Sequence, residues 1–451
     1  MKNRTNRTHF ETLESRLVLS DTVGPLASSA FAMTQQTDSG VVGDFVTNNL
    51  RPAFTWSTPA DQGTPPSGTS TNYIWQVQER VGSNLVLTQF GGQGGTSPSA
   101  NLAEGRYIWF VRYQDNAGNW GDWGGVNFRV ATTPTPPPNA NLVNDSVIDG
   151  DNVTNDTDVF FFFSRPSDLP QDALSYREYY WALSLEGGTT YYGISSNAIV
   201  RPSEFHPALQ IMPEGTHTVF VRTQDAAGNI SENWGGTVFA VDVTKPTESP
   251  NIRMDSALDW GPINTDQITS SQAPWFNWDA ATDSGSGLSN RTFWQVHDLS
   301  ANIIQFGETA GTQLRLPANL ADGTYRLWIN AEDRAGNNGN WGLIQGGTFT
   351  IDATAASVPN LIAPSDGSVQ GSSAVLLWGQ STDNVGGSGV WGYQFELLGP
   401  GGSNSSSGYT TSLSTTVALS FGTGSYSWRI RSVDLAGTHS AWSTSRIMIV
   451  T

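Results

Sequence analysis

One segment of this 451-residue chain occurs four times, and that recurrence limits the fold more than any other feature. It reads EGRYIWFVRYQDNAGN, EGTHTVFVRTQDAAGN, DGTYRLWINAEDRAGN and TGSYSWRIRSVDLAGT. In each copy a glycine (105, 215, 323, 424) stands ten residues before an aspartate (115, 225, 333, 434), so the repeat distances are 110, 108 and 101 residues. Two further anchors keep the same register. Trp56, Phe163, Trp278 and Trp378 each precede an aspartate by five (Asp61, Asp168, Asp283, Asp383), and Trp75, Trp181, Trp294 or Tyr393 follows ten to fourteen residues later. Three anchors in one order, four times, describe four tandem units of ordinary domain size.

Each unit reads as strands. Tyr107, Trp109 and Val111 alternate with Ile108, Phe110 and Arg112, and Tyr325, Leu327 and Ile329 alternate with Arg326, Trp328 and Asn330. That period of two is what a half-buried strand requires. Gly, Asn, Asp and Pro clusters separate the runs, and no sustained helical period occurs. Seven or so short strands in about 100 residues indicate an antiparallel sandwich. The expected boundaries are 1–40 for an N-terminal sorting-type motif and flexible spacer, then repeats at 41–131, 132–245, 246–355 and 356–451. The Pro-rich run from Thr132 to Pro138 and the Lys245-Pro246 step mark two of these joints.

Over residues 41–451 the chain resembles bacterial Ig-like and fibronectin type III-like repeats. The resemblance rests on an early-strand aromatic, a second on the third strand, and Tyr-x-hydrophobic-x-hydrophobic before an Asp-x-Ala-Gly-Asn turn. It implies an all-β fold of four tandem antiparallel sandwiches, with Tyr107, Tyr325 and Tyr426 at the tyrosine corner and His217 in that place in repeat 2. Phe10-Glu11, Leu13-Glu14, Arg16 and Leu17 resemble the N-terminal Leu-Glu-Pro-Arg-type motif of planctomycete surface proteins, with Ser15 where that motif has proline. This implies an extracellular or cell-surface location.

Composition removes several function classes. The 40 Asp+Glu against 22 Lys+Arg give a net charge of −18, which repels phosphate backbones and excludes a nucleic-acid partner. Zero cysteine excludes disulfides, thiolate zinc sites and cysteine catalysis. Lys2 and Lys245 are the only lysines, so lysine nucleophiles and Lys–Asn cross-links are excluded over most of the chain. No run of 18 apolar residues exists to form a transmembrane segment. The five histidines make no His-x-x-x-His pair, and no Gly-x-Ser-x-Gly elbow occurs. The recurring aspartates point to architecture rather than to one active site, so the chain is expected not to be an enzyme.

Two kinds of binding are open. In an Ig-type sandwich the B–C and F–G loops share the end where the chain enters. Asp242, Asp283 and Asp333 are therefore expected to converge at one joint, and Asp352, Asp383 and Asp434 at the next, as oxygen donors for Ca2+. At the first joint Ala131 takes the place of Asp242, so that joint is expected to lack the ion. The same aspartates also suit Asx-turns that cap loop backbone, and one residue can do both. For carbohydrate, Trp120, Trp260, Trp275 and Trp391 belong to no shared column and are the candidate stacking surface. The recurrent Trp123, Trp234, Trp341 and Trp442 read instead as a lid over the sandwich end. The expected role is an extended spacer, adhesive or structural element, with other surface proteins or extracellular polysaccharide as partners. An array of carbohydrate-binding modules is the alternative.

Overall fold

The computed structural model describes residues 21–148, 150–165, 174–257, 259, 261–402 and 405–451. The N-terminal motif around Phe10–Leu17, Asp168 and Trp260 lie outside the described residues. Four times over, a long central strand runs from the recurrent glycine to the recurrent aspartate: Gly105–Asp115, Gly215–Asp225, Gly323–Asp333 and Gly424–Asp434. A flanking strand pairs antiparallel with each: Thr69–Val81, Tyr176–Ser184, Leu288–His297 and Val390–Leu398. An edge strand lies outside that: Asn84–Gly91, Thr190–Ser195, Ile303–Ala310 and Ser405–Thr410.

The alternation in sequence becomes the two faces of this sheet. In repeat 1 Tyr107, Trp109, Val111 and Tyr113 are buried, while Arg106, Phe110, Arg112 and Gln114 face outward. A smaller sheet covers the buried face. In repeat 4 it comprises Leu361–Ala363, Ser373–Trp378 and Ser414–Ala418, and in repeat 3 Arg253–Met254, Trp275–Asn277 and Gln313–Arg315. Aromatic side chains fill the space between. Trp109 stacks on Phe54 at 4.9 Å and on Trp75 at 4.8 Å, and all three are buried. Phe276 meets Phe349 edge-on at 4.9 Å in repeat 3. Such pairs add to area burial because ring edges and faces carry opposite partial charge.

A short parallel pairing recurs as well: Val46–Thr47 with Arg129–Val130, Val153–Thr154 with Ala240–Val241, Ile268–Thr269 with Thr350–Ile351, and Ser368–Gln370 with Met448–Val450. The chain divides into two compact units, and the division passes through the second repeat. The first holds residues 1–143, 158–212 and 216–239, and the second holds 144–157, 213–215 and 240–451.

Residues 21–40 are not a spacer. Ala32–Met33 pairs with Phe54–Thr55, Met33 is buried, and Phe31 packs on the core of repeat 1. The glycines of this segment serve close backbone packing instead. A Cβ on Gly24 would collide with the Trp120 carbonyl, and one on Gly40 with that of Ala226. The register also moves one anchor of repeat 4. Phe395, not Tyr393, pairs with Ile430 and a glycine, as Trp75, Trp181 and Trp294 do with their own partners.

Candidate metal centres in the acidic loops

The site begins in the turn that ends each central strand. The Asn119 amide donates to Asp115 Oδ1 at 2.7 Å, and its side-chain Nδ2 donates to Asp115 Oδ2 at 2.8 Å and to the Asp21 carbonyl at 2.8 Å. Repeat 3 reproduces all three bonds with Asn337, Asp333 and Asp242 at 2.8 Å each. The turn thus fixes its own aspartate and grips the chain entering the repeat. Gly118 and Gly336 occupy the left-handed position of this turn (φ +96° and +88°), which glycine adopts without penalty.

A second loop brings a second carboxylate through an aspartate followed later by Ser-Gly. Gly68, Gly287 and Gly389 donate their amides to Asp61, Asp283 and Asp383 at 2.6, 2.7 and 2.7 Å. The serine before each glycine donates its amide to the carboxylate on the entering chain. Ser67 reaches Asp21 at 3.0 Å, Ser286 reaches Asp242 at 2.6 Å, and Ser388 reaches Asp352 at 2.8 Å. Glycine is required once more in this loop. A Cβ on Gly63 or Gly285 would overlap the Asp21 or Asp242 carboxylate.

These devices place three carboxylates at one point. Oxygens of Asp242, Asp283 and Asp333 lie within 4.8 Å of one another, and so do those of Asp21, Asp61 and Asp115. Oxygens that share one calcium ion at about 2.4 Å stand no more than about 4.8 Å apart, so both sets have the spacing of a common ligand shell. Asp352, Asp383 and Asp434 do not all close to that distance, yet their charges act on one another.

The electrostatics differ among the three sets. The Ser67 amide holds the Asp21 carboxyl below the ordinary range. Burial, with Asp242 and Asp283 adding like charge, raises that of Asp333. Burial also raises Asp352, with like charge from Asp383. Asp434 is fully buried, and burial with the charges of Asp352 and Asp383 pushes it up to about 7. One carboxylate oxygen each on Asp283, Asp352 and Asp434 is shielded from solvent and accepts no hydrogen bond. Leaving a charged acceptor dry and unpaired costs several kcal/mol. A hard divalent cation would remove that cost, and a donor set of converging carboxylates suits calcium.

Repeat 2 departs from the pattern by two coupled substitutions. Ala131 stands where the other repeats carry Asp21, Asp242 or Asp352, and Leu174 stands where they carry Ser67, Ser286 or Ser388. The two residues pack with Ala226, Ala227 and Val46 into an apolar cluster. Asn229 still binds Asp225 and the Ala131 carbonyl, so the turn survives without the acidic partner on the entering chain.

The structure therefore brings together Asp242, Asp283 and Asp333, and sets Asp352, Asp383 and Asp434 beside one another. It adds Asp21, Asp61 and Asp115, of which Asp21 falls in the presumed spacer. The signal for Asp21 is the spacing Asp-x-x-x-Pro, shared by Asp21–Pro25 and Asp242–Pro246. The tryptophan candidates are dispersed. Trp120 is exposed beside Arg112 in repeat 1, and Trp275 is exposed beside Arg315 in repeat 3. Trp391 is partly buried near Tyr409 in repeat 4. Trp120 belongs to the first unit and Trp275 and Trp391 to different repeats of the second, and Trp260 lies outside the described residues. The recurrent tryptophans do not cap the sandwich end. Trp123, Trp234 and Trp442 lie on the outer sheet face, stacked against Arg112, Arg222 and the Arg429–Arg431 pair at 4.5 to 4.7 Å.

Parts of this chain are similar to known proteins. A stretch of 234 residues, 50% of this chain, is 30% identical to Exoglucanase B of Cellulomonas fimi but covers 19% of that protein. A stretch of 165 residues is 29% identical to Exoglucanase A of the same organism and covers 16% of it. The chain thus spans less than a fifth of the length of either relative. Among solved structures, chicken CNTN1 FN1-FN3 domains align over 72% of this chain and 99% of that one, with TM-score 0.31 and 13% identity. The tetra-tandem repeat in the extending region of a large adhesion protein aligns over 94% and 100%, with TM-score 0.24 and 13% identity. Residues 26–132 and 246–363 match the family model of the bacterial Ig-like domain. With the same strand order in the large sheet of all four repeats, the chain is an all-β tandem array of β-sandwiches, of which residues 26–132 and 246–363 are Ig-like.

Proposed function

We propose that this chain is a non-catalytic, modular element of an extracellular or cell-surface protein, with calcium bound in its acidic loops. The observation that carries the reading is the set of dry, unpaired carboxylate oxygens on Asp283, Asp352 and Asp434, each inside a group of like charges. A catalytic carboxylate pair would occur once, whereas these groups recur with the same backbone bonds in repeats 1, 3 and 4. The ion would tie the entering chain, the second loop and the turn together. That makes the acidic sites of repeats 3 and 4 stiffeners of the places where one sandwich follows another. The similarity to two proteins named exoglucanases supports a setting outside the cell, near glucan.

Calcium titration of the full chain, followed by thermal melting, tests this reading. Saturating calcium is expected to raise the melting temperature, EDTA to reverse the rise, and Asp333→Asn and Asp434→Asn each to remove part of it. Ligand that binds only the folded state stabilises by RT ln(1 + [L]/Kd), about 2.7 kcal/mol at a hundredfold excess over Kd. Melting curves that coincide with and without calcium would overturn the proposal.

A further inference from the structure

On the outer face of each large sheet, one row of paired residues crosses the edge, flanking and central strands. The row is Phe90–Gln76–Phe110 in repeat 1, Tyr192–Ala182–Phe220 in repeat 2 and Phe306–Gln295–Trp328 in repeat 3. Its outermost ring stands in solvent: Phe90 is 76% exposed, Tyr192 66% and Phe306 75%. The ring is followed each time by a glycine (91, 193, 307) pressed against the core indole of Trp75, Trp181 or Trp294. The core thus dictates the glycine but not the exposed ring before it. Repeat 4 carries Ser407–Glu396–Arg429 in the same row, closed by an ion pair at 2.5 Å. A polar row is therefore compatible with this fold, and three aromatic rows in water need another reason.

The surroundings of the rings indicate what that reason is. In repeat 3, Phe306 faces a groove of about 310 Å³ with Phe293, Gln295, Asn330, Asn338 and Trp341. Asn330 is 3% exposed, its Nδ2 donates to the Gly339 carbonyl at 2.8 Å, and its Oδ1 has no partner in the protein. In repeat 2, Tyr192 faces a groove of about 370 Å³ with Phe220, Trp234, Ser184 and Thr190. No charged side chain lines either groove.

We propose that these aromatic rows are subsites for a neutral oligosaccharide, one on each of the first three repeats. A flat ring accepts the apolar face of a pyranose, while neighbouring amides and hydroxyls pair with sugar hydroxyls. The uncharged lining and the net charge of −18 select a neutral polymer over an anionic one. Each groove is open and binds weakly alone, but tandem subsites on one chain gain from effective concentration.

Native gel electrophoresis of the full chain through gels containing hydroxyethylcellulose, galactomannan or dextran tests the proposal. Retardation by at least one polymer is expected, and the triple variant F90S/Y192S/F306S is expected to lose it more than tenfold. Val375→Ser, an exposed position outside the rows, is expected to migrate as the native chain does. All three rings are surface groups, so the triple variant should keep its calcium-dependent melting shift, which separates this proposal from the previous one. Absence of retardation in all three gels, or equal retardation of the triple variant, would overturn it. So would a dimer dissolved by the triple variant without polymer binding, because the rows would then face a second copy of the chain.

Discussion

An asparagine holds the turn aspartate in repeats 1, 2 and 3, but Thr438 takes its place in repeat 4. The Thr438 amide still donates to Asp434 Oδ1 at 2.7 Å, which leaves Oδ2 dry and without a donor beside Asp352 and Asp383. This makes Asp434 the most strained charge among the described acidic loops, and its stability effect has a definite sign. Its carboxyl titrates at about 7 in the folded protein against 3.8 for the ordinary group. Between those values the unfolded chain has lost its proton while the folded chain keeps it, so stability falls as pH rises and levels off above about 7. Asp352 and Asp333, also raised, add to the same trend. In EDTA the melting temperature of the full chain is expected to decline from pH 4 to pH 7, and Asp434→Asn to flatten much of that decline. Calcium favours the ionised form, so its binding near pH 6.5 should release a proton. Titration heats that are identical in two buffers of different ionisation enthalpy would contradict this assignment.

At the scale of the element, the central strand is fixed at its start by a tyrosine hydroxyl. Tyr107, Tyr325 and Tyr426 donate to the carbonyls of Ala103, Ala321 and Gly422 at 2.9, 3.0 and 2.8 Å. Repeat 2 has His217 there, and its Nδ1 instead accepts the Glu186 amide at 3.1 Å. Tyr426 is fully buried, so Tyr426→Phe keeps the packing and removes one bond. A loss of about 1 kcal/mol is expected in urea unfolding of the full chain, since that is the usual net worth of a buried hydrogen bond. These tyrosines, the period-two strands and the turn aspartates were legible because each is a local pattern with one physical meaning. Phe395 was not, because Tyr393 and Phe395 share a sheet face and spacing alone cannot choose between them. The strand at Ala32–Met33 was hidden for another reason. Two residues pair there, and the small side chains around them, which resemble a linker in composition, are small so that backbones can touch. The exposed rows escaped notice because Phe90, Tyr192 and Phe306 look like ordinary strand aromatics until the glycine behind each shows which way it points.

Across the whole molecule the joints between sandwiches are built by one plan with two chemistries. A loop of one repeat meets the turn of the next in each case. Ser39 Oγ donates to the Ala227 carbonyl at 2.6 Å, Arg334 pairs with Asp151 at 2.9 Å, and Gly261 lies where any Cβ would strike the Leu435 carbonyl. Within the first unit the joint between repeats 1 and 2 is filled by Ala131, Leu174, Ala226, Ala227 and Val46. That contact needs no ion, because its driving force is burial of apolar surface. Within the second unit the joint between repeats 3 and 4 holds Asp352, Asp383 and Asp434, whose repulsion opposes closure and would be offset by a cation. Calcium is therefore expected to change the mobility of one joint and not of the other. The chain has no cysteine, so spin labels can be placed freely. A pair at Leu85→Cys and Ile199→Cys reports on the first joint, and a pair at Ile304→Cys and Val375→Cys reports on the second, all four being exposed positions. On adding calcium the distance distribution of the second pair should narrow while that of the first stays as it was. Asp434→Asn should abolish the narrowing without altering the first pair. If both pairs narrowed alike, the apolar joint would have to depend on the ion too, and the division between the two chemistries would fall.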